Sequence, residues 1–426
     1  MNPVRTTVTS RPWRRVAAHD GLTPLTLLRC LQGHPRWALW LPRGDVMVGW
    51  GRRAAVQARG PRRFAHLRAA WQAWREQHPD LPPELPLFLV AGFSGQAPQS
   101  PWPGTFPNAL LVLPRAVVLW RKGEARGTAW LSGEEALPPG PEPAPGSAAL
   151  PALAAWEEGV SRDAWEAMVD RALQAIAMGA LRKVVLARYR RLRFAGPVDP
   201  VTVLETLRRR YPGTAVFLYE PQPGCAFVGA TPELLLAKQG DRVRTVALAG
   251  SIRRGATPQE DAALAQRLLA SPKDRREHAW VVQALVEGLR PWAANLHVPE
   301  GPRLRTLPNI HHLETPIEAR LVRGDVFALV EALHPTPALG GWLKAPALAF
   351  LQAEEPFDRG WYAGPLGYVT PGGDGRVFVA IRSALLCREE AWLFAGAGIV
   401  SGSHPAREWA EIDLKFQPMM EVLGAV

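Results

Sequence analysis

Lysine is the residue this chain is short of. Of its 50 basic residues only six are lysine: Lys122, Lys183, Lys238, Lys273, Lys344 and Lys415. The arginines are scattered in pairs and triplets along the whole chain, such as Arg62-Arg63, Arg208-Arg209-Arg210 and Arg275-Arg276. That scatter reads as a compositional bias rather than a concentrated nucleic-acid surface, so the net charge of +11 carries little functional weight. The scarcity raises a question at each lysine. Arginine cannot lose its proton in a protein, whereas a desolvated lysine can.

Cysteine is also scarce. Cys30, Cys225 and Cys387 lie far apart and form no CxxC pair. Buried thiols in a reducing compartment are therefore expected rather than disulfides. No stretch approaches the roughly 20 uncharged apolar residues of a membrane span. The opening MNPVRTTVTSRPWRR is basic but leads into no signal-like apolar core. A soluble, cytoplasmic protein is expected. The glycine-rich GAGIVSGS from Gly396 lacks the G-x-G-x-x-G spacing, which excludes the dinucleotide fingerprint there.

What the chain does have is apolar residue, 47% of the total, enough for a large core. Its 17 tryptophans are dispersed through apolar stretches (Trp37, Trp40, Trp71, Trp156, Trp165), as core residues would be. A basic, tryptophan-rich module that stacks on nucleic acid would instead cluster arginine and aromatics.

The first part, residues 1–150, shows short apolar runs that read as strands at Ala38–Pro42, Leu87–Ala91 and Leu110–Leu119. A helix is expected over Phe64–His78, where Leu67, Trp71 and Trp74 recur at helical spacing. Leu137–Pro151 (LPPGPEPAPGSAALP) reads as a connector. The second part, residues 160–426, opens with a helix capped by Ser161 and running over Arg162–Met178. A strand follows at Lys183–Tyr189, then a helix at Pro200–Arg210. Strands are read at Ala215–Tyr219, Ala226–Val228, Leu234–Leu236 and Val243–Leu248, followed by helices at Pro258–Leu269 and Asp274–Leu289. The last third alternates strands with Gly/Pro turns and closes on a helix beginning near Pro405. Strands that succeed one another without regular crossover helices predict an α+β layered fold rather than a doubly wound parallel sheet.

Four clusters can carry chemistry. Lys183 heads an apolar strand and is either a snorkelling edge residue or a base. Glu233, in GATPELLL, is either a solvated turn residue or a carboxyl whose apolar surroundings retain its proton, as a general acid requires. Glu277 stands on one helix, while Glu408 and Glu411 share one face of another. Carboxylates delivered from two helices suit a hard ion such as Mg²⁺, or are simply solvated faces. The neighbours His311 and His312 point apart in strand or helix, which argues against a transition-metal site. Gly250, Arg382, the loop from Gly396 and Lys415 are anion-binding elements, each weak when taken singly.

Together, KVVLAR, GATPELLL, LAGSIRRG, KDRREH, HHLETP, LHPTPALGG, EPFDRGWYAGPLG, AIRSALL, AGAGIV and EWAEIDLK occur in one order. This series resembles the chorismate-binding domain shared by isochorismate, salicylate, anthranilate and aminodeoxychorismate synthases, over about Ser161 to Leu423. The resemblance implies an α+β fold of two large, mainly antiparallel sheets packed together and flanked by helices. The first 150 residues would supply strands to the same body. It further implies that Lys183 activates the attacking water and that Glu233 protonates the departing hydroxyl. Glu277 and Glu411 would bind Mg²⁺ directly, with Glu408 assisting. Gly250, His312, Tyr362, Arg382, Gly396, Gly398 and Lys415 would surround chorismate.

Within that family, the segment ALAGS places Ala249 where aminodeoxychorismate synthases carry a nucleophilic lysine. With Lys183 present, this favours water over ammonia as nucleophile and isochorismate as product, and no glutaminase partner is expected. The apolar Pro337-Ala338-Leu339 favours isochorismate over salicylate. A monomer serving menaquinone biosynthesis is the corresponding expectation. A neutral Lys183 would be needed, and Arg188 is the cationic neighbour expected to promote it.

Overall fold

The computed structural model describes residues 12–96, 99–104, 106–139 and 149–425. Within them, 22 strands form two sheets, and every strand pair is antiparallel. The first sheet has 12 strands. It runs from Trp13–Ala17 through Thr128–Ser132, Ala116–Trp120, Val46–Trp50, Arg36–Trp40, Ala215–Gln222, Cys225–Thr231, Ser383–Cys387, Glu390–Ile399 and Lys183–Phe194 to Gly341–Trp342. Leu153–Glu158 adds a further strand on Lys183–Phe194.

The second sheet has 10 strands. Its order is Ala293–His297, Ile310–Leu321, Arg242–Arg253, Leu234–Gln239, Gly375–Val379, Pro365–Val369, Leu87–Ala91, Ala109–Leu113 and Ala54–Ala58, with Arg303–Thr306 on Ile310–Leu321.

Strands from the first part of the chain enter both sheets by direct pairing. Arg36–Trp40 pairs with Ala215–Gln222, and Leu87–Ala91 pairs with Pro365–Val369. The two sheets face one another through large side chains. Trp37 stacks on Phe88 at 6.1 Å between centroids. The Tyr219 hydroxyl crosses to donate to the Gly367 carbonyl at 2.7 Å, and the Thr231 hydroxyl donates to the Val379 carbonyl at 2.6 Å. Each such bond satisfies a buried polar group that packing would otherwise strand.

The expected elements recur with shifted ends. The strand expected over Leu110–Leu119 is two strands, Ala109–Leu113 and Ala116–Trp120, and they belong to different sheets. Pro114 stands at the corner, where its missing N–H costs no ladder bond. The Lys183 strand runs on to Phe194, because Arg190, Arg191 and Arg193 pair with Glu157, Glu158 and Glu390 on the neighbouring strands. Helices Val326–Leu333 and Lys344–Glu354 have no counterpart in the sequence reading. The expected connector, Leu137–Pro151, lies largely outside the described residues.

Two expectations are corrected. Cys225 and Cys387 oppose each other on paired strands and form a disulfide, with Cα atoms 4.3 Å apart, while Cys30 is exposed. The spacing of 162 residues hid a contact made only by sheet pairing. Trp156, expected in the core, is 46% exposed and lies beneath the Arg190 guanidinium. Trp37, Trp40, Trp71 and Trp165 are buried as expected. No helix among the described residues is long and apolar enough to cross a membrane.

Candidate active site

Two helices frame the site. The helix Pro272–Leu289 packs on the strand Arg242–Arg253, and the final helix, Pro405–Val422, packs on the strand Glu390–Ile399. Those strands belong to different sheets, so each helix brings its carboxylates to the same seam from an opposite side. The Ser271 hydroxyl caps the first helix by accepting from the Asp274 amide. Pro405 opens the second.

The seam holds a cleft. Glu233, Gly250, Glu277, His312, Tyr362, Arg382, Gly396, Gly398, Glu411 and Lys415 line it, with Ala249, Ser251, Ala338 and Leu339. Ten of the twelve residues expected at the site thus share one wall system. The other two, Lys183 and Glu408, stand directly behind it and are 0% and 1% exposed.

The Lys183 ammonium donates to Glu277 Oε1 at 2.7 Å, which excludes the snorkelling reading. Burial would raise the Glu277 carboxyl, but Lys183, by charge and hydrogen bond, and then Lys415 and Lys273 override it and hold that group below its usual range. Arg188 does not act on Lys183 as expected. It lies five residues along the strand, hence on the opposite face, where Glu158 and Asp413 neutralise it and the Trp409 ring packs on its guanidinium.

Glu233 is 4% exposed. Burial pushes its carboxyl up to about 8, against the opposing pull of Lys183, Arg382 and Lys415. A carboxylic acid that keeps its proton near neutrality is equipped to donate one.

The substrate-facing groups are held by their own bonds. Gly250 has φ +78° at the bulge where the register between Arg242–Arg253 and Ile310–Leu321 slips, and a side chain there would be strained. Its carbonyl and the Ser251 hydroxyl both lie against His312 Nδ1, at 3.3 and 2.9 Å. The Arg382 guanidinium reaches His312 Nε2 at 3.4 Å. Burial, then the charges of Arg382 and Lys415, depress His312 well below the ordinary histidine value, so the ring is neutral. Nε2 accepts from Arg382, which leaves the proton on Nδ1. His311 points away, to Asp261 and Thr306.

Arg382 itself adopts φ +52°, a conformation that costs a non-glycine residue about 1 kcal/mol or more and that recurs where a site needs an awkward aim. Tyr362 stacks on Phe394 at 5.3 Å, and burial pushes its hydroxyl up to about 12. Lys415 donates to the Gly396 carbonyl at 2.8 Å and to Glu411 at 2.7 Å. A Cβ at Gly398 would lie 2.4 Å from Glu277 Oε1, so a side chain there would displace that carboxylate.

The sequence reading missed several residues that shape this site. Lys273 bonds Glu408 at 2.7 Å. Asp274 is raised by burial and by the charges of Glu277 and Glu411. Arg359 ties the Val185 and Leu339 carbonyls together while paired to Glu355, and so fixes the Lys183 strand against the cleft loop. Lysine's rarity was a signal for Lys273. Nothing in the sequence marked Arg359 among so many arginines.

The oxygen-only donor set Glu277, Glu408 and Glu411 suits a hard cation such as Mg²⁺. In the present conformation each of these carboxylates is turned onto a lysine. Among the described residues, no three His, Cys, Asp or Glu side chains converge as a ligand group.

A family model described as chorismate binding enzyme matches residues 142–424, and the chain belongs to that family. Among its members it is similar to isochorismate synthases. It is 38% identical over 432 residues to the "Salicylate biosynthesis isochorismate synthase" of Pseudomonas aeruginosa, covering 96% of this chain and 89% of that protein. It is 39% identical over 273 residues to isochorismate synthase MenF of Bacillus subtilis, covering 64% of this chain and 58% of that one. The solved structure of MenF, the menaquinone-specific isochorismate synthase from Escherichia coli, superposes with a TM-score of 0.82 at 26% identity, covering 99% of this chain and 96% of that one.

Proposed function

We propose that this chain is an isochorismate synthase, converting chorismate to isochorismate by adding water at C2 with loss of the C4 hydroxyl. The observation that carries the reading is a buried acid lining the cleft, Glu233, with a buried lysine, Lys183, behind the cleft wall on Glu277. Ala249 lines the same cleft where the resemblance places the nucleophilic lysine of an aminodeoxychorismate synthase.

Chorismate carries two carboxylates, and Arg382 with Lys415 offers cations for them. Lys183, released from Glu277 and acting as the neutral amine, takes a proton from the attacking water, and Glu233 gives its proton to the departing C4 hydroxyl, which leaves as water. Product and substrate are then isomers, and one proton returns from Lys183 to Glu233 through solvent. A Mg²⁺ ion held by Glu277 and Glu411, with Glu408 assisting, would neutralise carboxylate charge and fix the ring. Neutral His312 and Tyr362 add uncharged polar contacts beside Arg382.

Lys183 heads a strand of the first sheet, whereas Glu233 stands in the two-residue link between Cys225–Thr231 of the first sheet and Leu234–Gln239 of the second, so the two groups come to the site from separate elements. The small Ala338 beside Leu339 supports release of isochorismate without further elimination. Supply of menaquinone synthesis, a monomeric state and a cytoplasmic site of action belong to the same proposal, and gel filtration checks the monomer.

The deciding experiment incubates enzyme, chorismate and Mg²⁺ without ammonia and separates the products by chromatography. Isochorismate is expected. Salicylate with pyruvate would overturn the product assignment, and turnover only with ammonia would move the chain to an amine-forming branch.

A further inference from the structure

Three of the six lysines are spent on the three carboxylates assigned to Mg²⁺. Lys183 holds Glu277, Lys273 holds Glu408 and Lys415 holds Glu411, each at 2.7 Å. Lys183 and Lys415 have duties at the substrate. Lys273 has none: it does not line the cleft, and its hydrogen bond is to Glu408 Oε1.

Its position is nevertheless central. Lys273 stands one turn before Glu277 on the same helix face and reaches across to the first turn of the final helix. Its ammonium acts most strongly on Glu408 and then on Glu411 and Glu277. It is therefore a cation bonded to one of the three carboxylates and within electrostatic reach of the other two.

The two partners differ in their access to water. The Glu408 side chain is 2% exposed and that of Lys273 is 37% exposed. A buried carboxylate cannot be left without a cation, because the stranded charge would cost several kcal/mol or bind a proton. The lysine, on a flexible four-carbon stem, can swing into solvent and keep its charge hydrated. A compact ammonium is also the side-chain group nearest in character to a small hard cation. An arginine fork would grip the carboxylate more firmly, and this arginine-rich chain does not use one here.

We propose that Lys273 is a displaceable internal cation: it holds Glu408, and with it the two helices, in the metal-free enzyme, and it moves to solvent when Mg²⁺ takes that place. Lys273 would thereby set the Mg²⁺ affinity without touching substrate. The proposal rests on the assignment of Glu277, Glu408 and Glu411 to the metal.

The test is calorimetric titration of MgCl₂ into the full-length enzyme without chorismate, together with thermal melting in EDTA and in Mg²⁺. Lys273→Met keeps the apolar stem and removes the competing charge. It is expected to bind Mg²⁺ about tenfold more tightly, the change expected when one charge-assisted bond need not be broken. In EDTA it is expected to melt below the wild type, and Mg²⁺ is expected to close that gap.

Lys273→Arg preserves the charge and adds a fork, so it is expected to bind Mg²⁺ several-fold more weakly while remaining folded without metal. Equal or weaker Mg²⁺ binding by Lys273→Met would overturn the proposal, as would tighter binding by Lys273→Arg. Absence of Mg²⁺ heat and of any Mg²⁺-dependent melting shift in the wild type would overturn the metal assignment itself. The two failures are thus distinguishable.

Discussion

Replacing Glu233 by glutamine should remove a pH dependence that the wild-type fold carries. In the folded chain burial holds the Glu233 carboxyl at about 8, against an ordinary value of 4.5. Between those values the folded state keeps a proton that the unfolded chain has released. Folded protein binds more protons there, so stability falls as pH rises. The contribution is fully present below pH 4.5 and is lost as pH passes through about 8. The slope approaches ~1.4 kcal/mol per pH unit, and the full loss is ~5 kcal/mol. Glutamine of similar shape has no proton to lose. Urea-unfolding free energies of the two proteins, measured from pH 5 to pH 9, should therefore diverge, with the wild type losing stability relative to Glu233→Gln as pH rises. Isochorismate formation by the wild type should fall on the alkaline side with the same midpoint, since only protonated Glu233 can protonate the leaving group. A flat stability difference across that range would refute the reasoning, because it would mean that the folded carboxyl ionises as it does in water.

Two further outcomes follow from contacts at the site and in the sheets. Gly398→Ala would place a Cβ 2.4 Å from Glu277 Oε1 and 3.0 Å from Lys183 Cε. Both are far ends of flexible side chains, so the pair should separate, at a cost of about 3 kcal/mol or more because it is buried. A displacement of that size should cost roughly 100-fold in kcat/KM; near-normal turnover at unchanged melting temperature would contradict it. Thiol titration of denatured protein without reductant should count one cysteine, Cys30, and after reduction all three, since Cys225 and Cys387 are bonded. Reduction should also destabilise the chain, by up to ~5 kcal/mol for a closed loop of 162 residues; three thiols before reduction would remove the bond.

Much of the site was legible because its parts depend on residue chemistry at short range. Lys183 before Val184, Val185 and Leu186, Glu233 after Pro232 and before three leucines, and Glu408 with Glu411 on one helix turn are local patterns. Their meaning came from their order along the chain, which matched a family. Strand existence was legible for the same reason. Long-range pairing was not: Cys225 meets Cys387 and Arg359 meets Val185 only once the sheet order is known, and no periodicity encodes that order. The Arg188 expectation failed on a local rule that was available, since an odd spacing along a strand separates faces.

The carboxylate cluster shows how far local reading reaches. Helical spacing put Glu408 and Glu411 together and composition favoured a hard cation, yet neither could show that each acid already holds a lysine. Buried carboxylates must be neutralised whether or not a cation occupies the site. Asp274 joins Glu277, Glu408 and Glu411 within reach of one another's charge, and such a group would repel itself if left bare. Three lysines supply the missing positive charge, and two of them, Lys183 and Lys415, also face the work of catalysis. On the proposed metal assignment, Mg²⁺ binding and the freeing of those side chains would be coupled through shared partners. Three of the six lysines in this sequence hold these carboxylates, where an arginine fork would grip them more firmly.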